Sequence, residues 1–305
     1  QTANDMELLR VITGGGQLNF LGFSYGTELG ATYAVLFPGE VGLFVLDGAV
    51  DPTIDPDLAL LGQIKGFDKA LEAYLTDCFS RESCPLPRDM NEAKDTIAGI
   101  LAGLENGTLP TDYERDLSLS AAIAGMIVTL YSEANWEFLS VGIEDALAGD
   151  GTMLLLLADF YNDRDSEEGY LTNLVEANYA IACADEKTYP LSEKDLSTEI
   201  TEASNVFGKY FSYGESSCEG WPAGIGNSVL NYEVTPVTGP LIIGTTGDPA
   251  TPYEQAVTLS SLMGGSHLLS FKGEGHTVYG SNGCVDDLVD RYLSGEDLSD
   301  LDLNC

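Results

Sequence analysis

Blocks of apolar and polar residues divide the chain into three zones. In the first zone, residues 1–51, the pattern predicts a helix over 6–12 and a short strand over 17–23. It continues with a helix over 27–37 and a buried strand over 41–46. A strand, a helix and a strand in such close succession form a βαβ unit, so we expect a parallel sheet.

The second and third zones differ in character. Residues 52–238 lack a clean strand pattern, and we interpret them as a helical lid inserted into an α/β domain. Their predicted helices cover 58–79, 91–104, 117–131, 136–147, 153–161 and 171–182. Residues 239–305 return to α/β, and their predicted elements are a strand over 241–245, a helix over 252–263, a strand over 267–271 and a helix over 285–293.

Composition excludes several classes of partner. The chain has 305 residues, with 49 acidic against 13 basic side chains and a formal net charge of −36. Nucleic acids and anionic membranes both require clustered Lys and Arg, so neither is expected. The longest apolar run, residues 121–131, is shorter than the roughly 18 residues of a membrane span. No signal peptide is visible and the chain opens with Gln1, from which we expect a processed or incomplete chain.

Six cysteines in so acidic a chain favour disulfides and a secreted location. Sequence proximity favours the pairs Cys78–Cys84, Cys183–Cys218 and Cys284–Cys305, and the alternative is six buried thiols. With only two histidines, no Cys and His spacing resembles a zinc site, so we expect no metal and no cofactor.

Residues 22–26, Gly-Phe-Ser-Tyr-Gly, form a G-x-S-x-G motif between a predicted strand and a predicted helix. This context is typical of a sharp turn that exposes a nucleophilic serine, here Ser24. The backbone N–H of Tyr25, at the start of the helix, could then stabilise a developing oxyanion. The alternative is a serine in a structural turn.

A nucleophilic serine requires a base and an acid that orients it. His276 lies in a glycine-rich loop after a strand and is the better base, whereas His267 begins a strand and favours a structural role. Asp248 follows the preceding strand and is the predicted acid, with turn capping as its alternative and Asp47 as its rival. We expect Glu274 to be a solvated loop residue.

Three segments carry a resemblance to a known family: GFSYGTELGATYAVLFPGEVGLFVLDGAVDP (22–52), GTTGDPATP (244–252) and GEGHTVYG (273–280). They resemble the secreted bacterial tripeptidyl-aminopeptidase branch of the α/β-hydrolases, as do residues 180–185 and the cysteine-bearing segment 284–305. The resemblance implies an α/β-hydrolase fold with a helical lid and a triad of Ser24, Asp248 and His276. It also implies release of short peptides from a free N terminus, although some relatives act as esterases or other proteases.

One departure from the family concerns the oxyanion hole. The family has strands before the nucleophile strand and an HGGPG-like loop that supplies an oxyanion donor, and no such loop occurs in this sequence. Residues 14–16, Gly-Gly-Gly, precede the nucleophile strand and would lie at the opposite edge of the sheet. We therefore expect a companion polypeptide, a cleavage product of the same precursor, to supply these strands and the second donor.

An aminopeptidase must bind a positively charged amine. The first candidate carboxylates are Asp185 and Glu186, and Asp47 and Asp51 are the second choices. The aromatic residues Tyr131, Trp136, Phe138 and Trp221 could line a substrate cleft or belong to the core.

Two other functions remain open. One is a carboxylesterase or lipase with the same triad, and the other is a non-catalytic, hydrolase-like binding chain.

Overall fold

The computed structural model describes residues 1–165, 168–185, 196–211, 221 and 230–305. The chain forms two compact units, one made of Gln1–Pro56 and Val229–Cys305 and the other of Asp57–Ser228. We call them the sheet unit and the helical unit.

The sheet unit begins with the predicted βαβ arrangement. Helix α1 (Thr2–Thr13) precedes β1 (Leu18–Phe23), α2 (Tyr25–Leu36) and β2 (Val41–Asp47). Strands β1 and β2 are parallel, with Phe23 opposite Asp47, so both strands end at the same edge of the sheet. The expectation of a parallel sheet is confirmed.

The helical unit contains all six predicted helices. They are α3 (Pro56–Ser80), α4 (Met90–Leu104), α5 (Leu119–Leu130), α6 (Trp136–Ala148), α7 (Thr152–Tyr161) and α8 (Leu174–Asp185). The zone also contains two short strands that its sequence pattern did not indicate, β3 (Arg164–Asp165) and β4 (Gly169–Tyr170), which form a small antiparallel hairpin. The short helices α9 (Ser197–Glu202) and α10 (Gly208–Phe211) were also not predicted.

The aromatic residues proposed for a substrate cleft divide into two groups. Trp136 is buried against Tyr74, and Tyr131 packs between Phe67 and Tyr161, so both belong to the packing of the helical unit. Phe138 and Trp221 are about half exposed.

The chain completes the sheet unit with β5 (Leu241–Gly247), α11 (Tyr253–Leu262), β6 (His267–Glu274) and α12 (Gly283–Leu293). The four described strands of this unit follow the order β1-β2-β5-β6 and pair in parallel. One face packs against helices that include α2 and α11, and the other packs against α12. Burial on both faces explains why β2 and β5 read as continuous apolar runs.

The two edges of this sheet differ. The C-terminal tail pairs with the middle of β6, since the Ser270 N–H donates to the Leu303 carbonyl (2.8 Å) and the Cys305 N–H donates to the Ser270 carbonyl (2.9 Å). At the other edge, no strand of the described residues pairs with the outer side of β1, where Leu21 and Phe23 are 38% and 43% exposed.

Two predicted disulfides are present, Cys78–Cys84 and Cys284–Cys305. In the predicted pair Cys183–Cys218, Cys218 lies outside the described residues. Within the described ranges, no helix is long and apolar enough to cross a bilayer.

The Cys284–Cys305 disulfide should hold the tail against β6. It closes a loop with a sequence separation of 21 residues. In the chain-entropy model, removing a disulfide that closes a loop of that size lowers the stability of the folded protein by about 3 kcal/mol. In the double variant Cys284→Ser/Cys305→Ser, we expect faster hydrogen exchange at the Ser270 N–H, measured by NMR.

The His267 N–H is the internal control, because it donates to Pro240 on the β5 side (2.8 Å) and should change less. The variant Cys78→Ser/Cys84→Ser should leave Ser270 protected. An unchanged exchange rate at Ser270 in the first variant would show that the disulfide does not hold the tail.

Candidate active site

Ser24 occupies a strained turn between β1 and α2. Its backbone has φ 53° and ψ −122°, a conformation that residues with a side chain rarely adopt. The Ser24 N–H donates to the Asp47 carbonyl (2.9 Å), and the Ser24 carbonyl accepts from both the N–H and the hydroxyl of Thr27 (2.8 and 2.6 Å). Bonds to both backbone groups hold the strained conformation, as expected for an exposed nucleophile at a strand-to-helix turn.

The two glycines of the motif have different roles. A Cβ on Gly22 would come within 2.6 Å of both the Gly26 carbonyl oxygen and the Phe20 ring, so the turn requires glycine there. A Cβ on Gly26 would meet nothing within 4 Å. The first glycine is therefore required by close packing and the second is not.

Tyr25 is the first residue of α2. The N–H groups of a first turn point out of the helix toward its N terminus, where the helix dipole is positive. This position suits the predicted oxyanion donor, the N–H of Tyr25.

Asp248 and His276 form a buried hydrogen-bonded pair. The Nδ1 atom of His276 lies 2.9 Å from each carboxylate oxygen of Asp248. Asp248 also accepts from the N–H groups of Ala250 and Thr251 (both 2.9 Å) and from the Thr251 hydroxyl (3.1 Å). These bonds fix the carboxylate, which in turn orients the imidazole so that Nε2 is the atom available for proton transfer.

The residues Asp47 and Gly48 connect Ser24 with His276. The Asp47 carbonyl accepts the Ser24 N–H. A Cβ on Gly48 would lie 3.1 Å from Cε1 of His276 and 2.9 Å from Cγ2 of Thr277, so glycine leaves room for the imidazole. Ser24 thus bonds to Asp47 and His276 lies against Gly48, two adjacent residues at the carboxyl end of β2.

Asp47 is unsuited to both of its suggested roles, and this corrects the expectation that it rivals Asp248 or binds an amine. Its side chain is fully buried, and Oδ2 accepts from the N–H groups of Val278 (2.9 Å) and Tyr279 (2.8 Å). Burial raises the pKa of Asp47, and the two N–H bonds lower it only in part. Asp47 therefore holds the loop that follows His276.

The other predicted carboxylates also have defined positions. Glu274 is half-buried with its carboxyl group against Gly247, which corrects the expectation of a solvated residue. Asp51 is buried, and its Oδ1 accepts from the N–H and the hydroxyl of Thr53. Asp185 is exposed at the end of α8, and Glu186 lies outside the described residues.

His267 and the triple glycine lie away from this edge. His267 is the first residue of β6 and so lies at the opposite end of that strand from His276. Residues 14–16 precede β1, at the end opposite Ser24.

Sequence reasoning missed Thr251 and Gly48. The Thr251 hydroxyl donates to Asp248 and lies 3.4 Å from Nδ1 of His276. The turn capping considered for Asp248 could have indicated Thr251, because an Asp side chain in such a turn binds backbone groups a few residues further on. Nothing in the sequence around Gly48 indicated that an imidazole from a distant loop would pack against it.

We expect Gly48→Ala to displace His276. The reaction of Ser24 with a fluorophosphonate probe should slow by about 10²-fold, since a displacement near 1 Å can cost that much. Gly48 has φ 65°, so alanine there also adds backbone strain of about 1–2 kcal/mol.

Gly295→Ala is the matched control, because Gly295 has φ 85° and open space around the Cβ position. It should lose similar stability in thermal unfolding yet label at the wild-type rate. Equal labelling rates in the two variants would contradict the placement of His276 against Gly48.

Several known hydrolases are similar to this chain in sequence. Residues 204–305 match the family described as TAP-like protein. Serine protease Hip1 of Mycobacterium tuberculosis H37Rv is 35% identical over 308 residues, which cover 96% of this chain and 58% of that protein. Carboxylesterase B of the same strain is 33% identical over 280 residues, which cover 88% of this chain and 53% of that protein.

The tripeptidyl aminopeptidase of Streptomyces coelicolor is 28% identical over 329 residues, which cover 98% of this chain and 56% of that protein. The chain therefore spans between 53% and 58% of the length of these three relatives. The mostly parallel sheet with the Ser24 turn and the Asp248–His276 pair agrees with these similarities. The chain belongs to the TAP-like α/β-hydrolases.

Proposed function

We propose that this chain carries the nucleophile, acid and base of a serine peptidase that releases short peptides from the free N terminus of peptides. The observation that carries the proposal is the strained Ser24 at the head of α2, beside the same β2 terminus as the Asp248–His276 pair. The relatives named as a serine protease and a tripeptidyl aminopeptidase support a peptidase.

The proposed reaction proceeds through an acyl-enzyme. Nε2 of His276 takes the proton of the Ser24 hydroxyl as Oγ attacks the scissile carbonyl carbon, and Asp248 stabilises the imidazolium. The Tyr25 N–H donates to the resulting oxyanion. His276 then gives its proton to the departing amine, and a water molecule hydrolyses the Ser24 ester by the same steps.

Recognition of a free N terminus requires a carboxylate near the substrate amine. Asp47 is fully buried and bonded to the His276 loop, and Asp51 is bonded to Thr53. Asp185 is exposed at the end of α8. For this role we retain the two candidates taken from the sequence, Asp185 and Glu186.

A second candidate function is carboxyl-ester hydrolysis. The relative named carboxylesterase B favours it, and the same three residues would act on an ester. The two functions differ in their need for a free amine on the substrate.

The outer side of β1, with which no described strand pairs, supports a companion polypeptide. The half-exposed Leu21 and Phe23 lie in β1, and the preceding α1 exposes Leu8, Leu9, Val11 and Ile12 by more than half. An apolar edge strand of this kind pairs with further chain. In the proposal, the companion pairs with β1 and supplies the second oxyanion donor, and the protein is secreted, as its disulfides favour.

Ser24→Ala should abolish activity. We expect hydrolysis to fall by about 10⁵–10⁶-fold and labelling by a fluorophosphonate to disappear, because the attacking oxygen is lost. Ser261→Ala, an exposed serine near the end of α11, is the control and should behave as wild type. Labelling that persists in Ser24→Ala would exclude Ser24 as the nucleophile.

The substrate class follows from a panel of a tripeptide anilide, its N-acetylated form and a short acyl ester. A peptidase of the proposed type should prefer the anilide with a free amine. The variant Asp185→Asn should raise the KM for that anilide about 10-fold and leave ester hydrolysis unchanged. Equal rates on the free and acetylated anilides would favour the esterase. An unchanged KM in Asp185→Asn would remove that residue from amine binding.

The companion should be present in active material. Intact mass spectrometry of the purified active enzyme should detect a second polypeptide, and native mass spectrometry should show that polypeptide bound to this chain. Active material that contains only these 305 residues would refute the companion.

A further inference from the structure

The loop that carries His276 has a strained backbone. It runs from the end of β6 to the start of α12, and Gly275, Thr277 and Gly280 have φ angles of 108°, 62° and 93°. Thr277 is a β-branched residue, for which a positive φ is unfavourable. His276 therefore lies between two positive-φ residues, and its position depends on contacts that hold the loop from outside.

Hydrogen bonds hold the loop on both sides of His276. On the N-terminal side, the Gly275 N–H donates to the Gly247 carbonyl at the end of β5 (3.3 Å). On the C-terminal side, the N–H groups of Val278 and Tyr279 both donate to Oδ2 of Asp47. Only His276 and Thr277 lie between these two anchors.

The Asp47 anchor is built into the core of the sheet unit. Asp47 ends β2, is paired with Phe23 of β1 and Ile243 of β5, and is fully buried. Its Oδ1 atom is buried without a hydrogen-bond partner among the described residues. A lone buried carboxyl oxygen is costly, so the two N–H bonds to Oδ2 are the contacts that account for an aspartate here.

We propose that Asp47 is a positioning residue for His276. By accepting the N–H groups of Val278 and Tyr279, it holds the imidazole of His276 in place relative to Ser24. The inference rests on the proposed function, because it assigns His276 the role of base. Asp47 touches neither substrate nor the reacting atoms in this assignment. It acts through loop geometry, since its carbonyl binds the Ser24 N–H while its carboxyl group binds the His276 loop.

The test compares Asp47→Ala with Asp47→Asn in the full protein. Alanine removes the acceptor, whereas the asparagine carbonyl oxygen can accept the same two N–H groups. We expect Asp47→Ala to lower kcat about 10²-fold with KM within about twofold, because the binding surface is unaltered and only the base is displaced. Asp47→Asn should recover kcat to within about fivefold of wild type.

Tyr292→Phe controls for lost stability in the same unit. The Tyr292 hydroxyl is buried, donates to the Gly239 carbonyl (2.9 Å) and accepts from the Phe44 N–H (3.2 Å), with no bond to the His276 loop. This variant should unfold at a lower temperature and keep its kcat. The labelling rate of Ser24 by a fluorophosphonate should follow kcat across all variants.

Three results would overturn the inference: wild-type kcat in Asp47→Ala, equal losses in the alanine and asparagine variants, or an equal loss in Tyr292→Phe. A wild-type protein that neither labels at Ser24 nor hydrolyses any substrate would instead refute the proposed function. The two failures are therefore distinguishable.

Discussion

The hydrogen bond from the Ser24 N–H to the Asp47 carbonyl joins the end of β1 to the end of β2, and the Asp47 carboxylate joins β2 to the loop after β6. Gly48, the next residue, leaves the space that the His276 imidazole occupies. The site therefore depends on the parallel alignment of the strands, which brings their carboxyl ends to one edge. A shift of β2 by one residue would displace the Asp47 carbonyl and the Asp47 carboxyl group together.

The sequence predicted the elements and the chemistry where each has a local pattern. The strands β1, β2, β5 and β6 follow from apolar runs between glycine and proline turns, and Ser24, Asp248 and His276 follow from their motifs and chain order. The hairpin of β3 and β4 was not predicted because two-residue strands are too short to show an alternation of apolar and polar residues. The role of Asp47 escaped because its partners lie 231 and 232 residues away, and sequence spacing carries no sign of that contact.

Backbone strain is concentrated at the candidate site. Among the described residues, the non-glycine positions with positive φ are Ser24, Asp163 and Thr277. The first is the candidate nucleophile, and the last follows the candidate base, His276. Each such residue costs on the order of 1–3 kcal/mol, which the surrounding structure must offset. The neighbouring core supplies that stability through fully buried side chains such as Tyr33, Phe44 and Ile242.

The unequal edges of the sheet limit how copies of this unit could associate. The disulfide-linked tail occupies the middle of β6, whereas the outer side of β1 has no strand against it among the described residues. Edge-to-edge growth of a sheet into a fibre requires two open edges on every molecule. In the proposed assembly the companion polypeptide would occupy the outer side of β1 while the tail occupies β6, so neither edge would remain for a second copy.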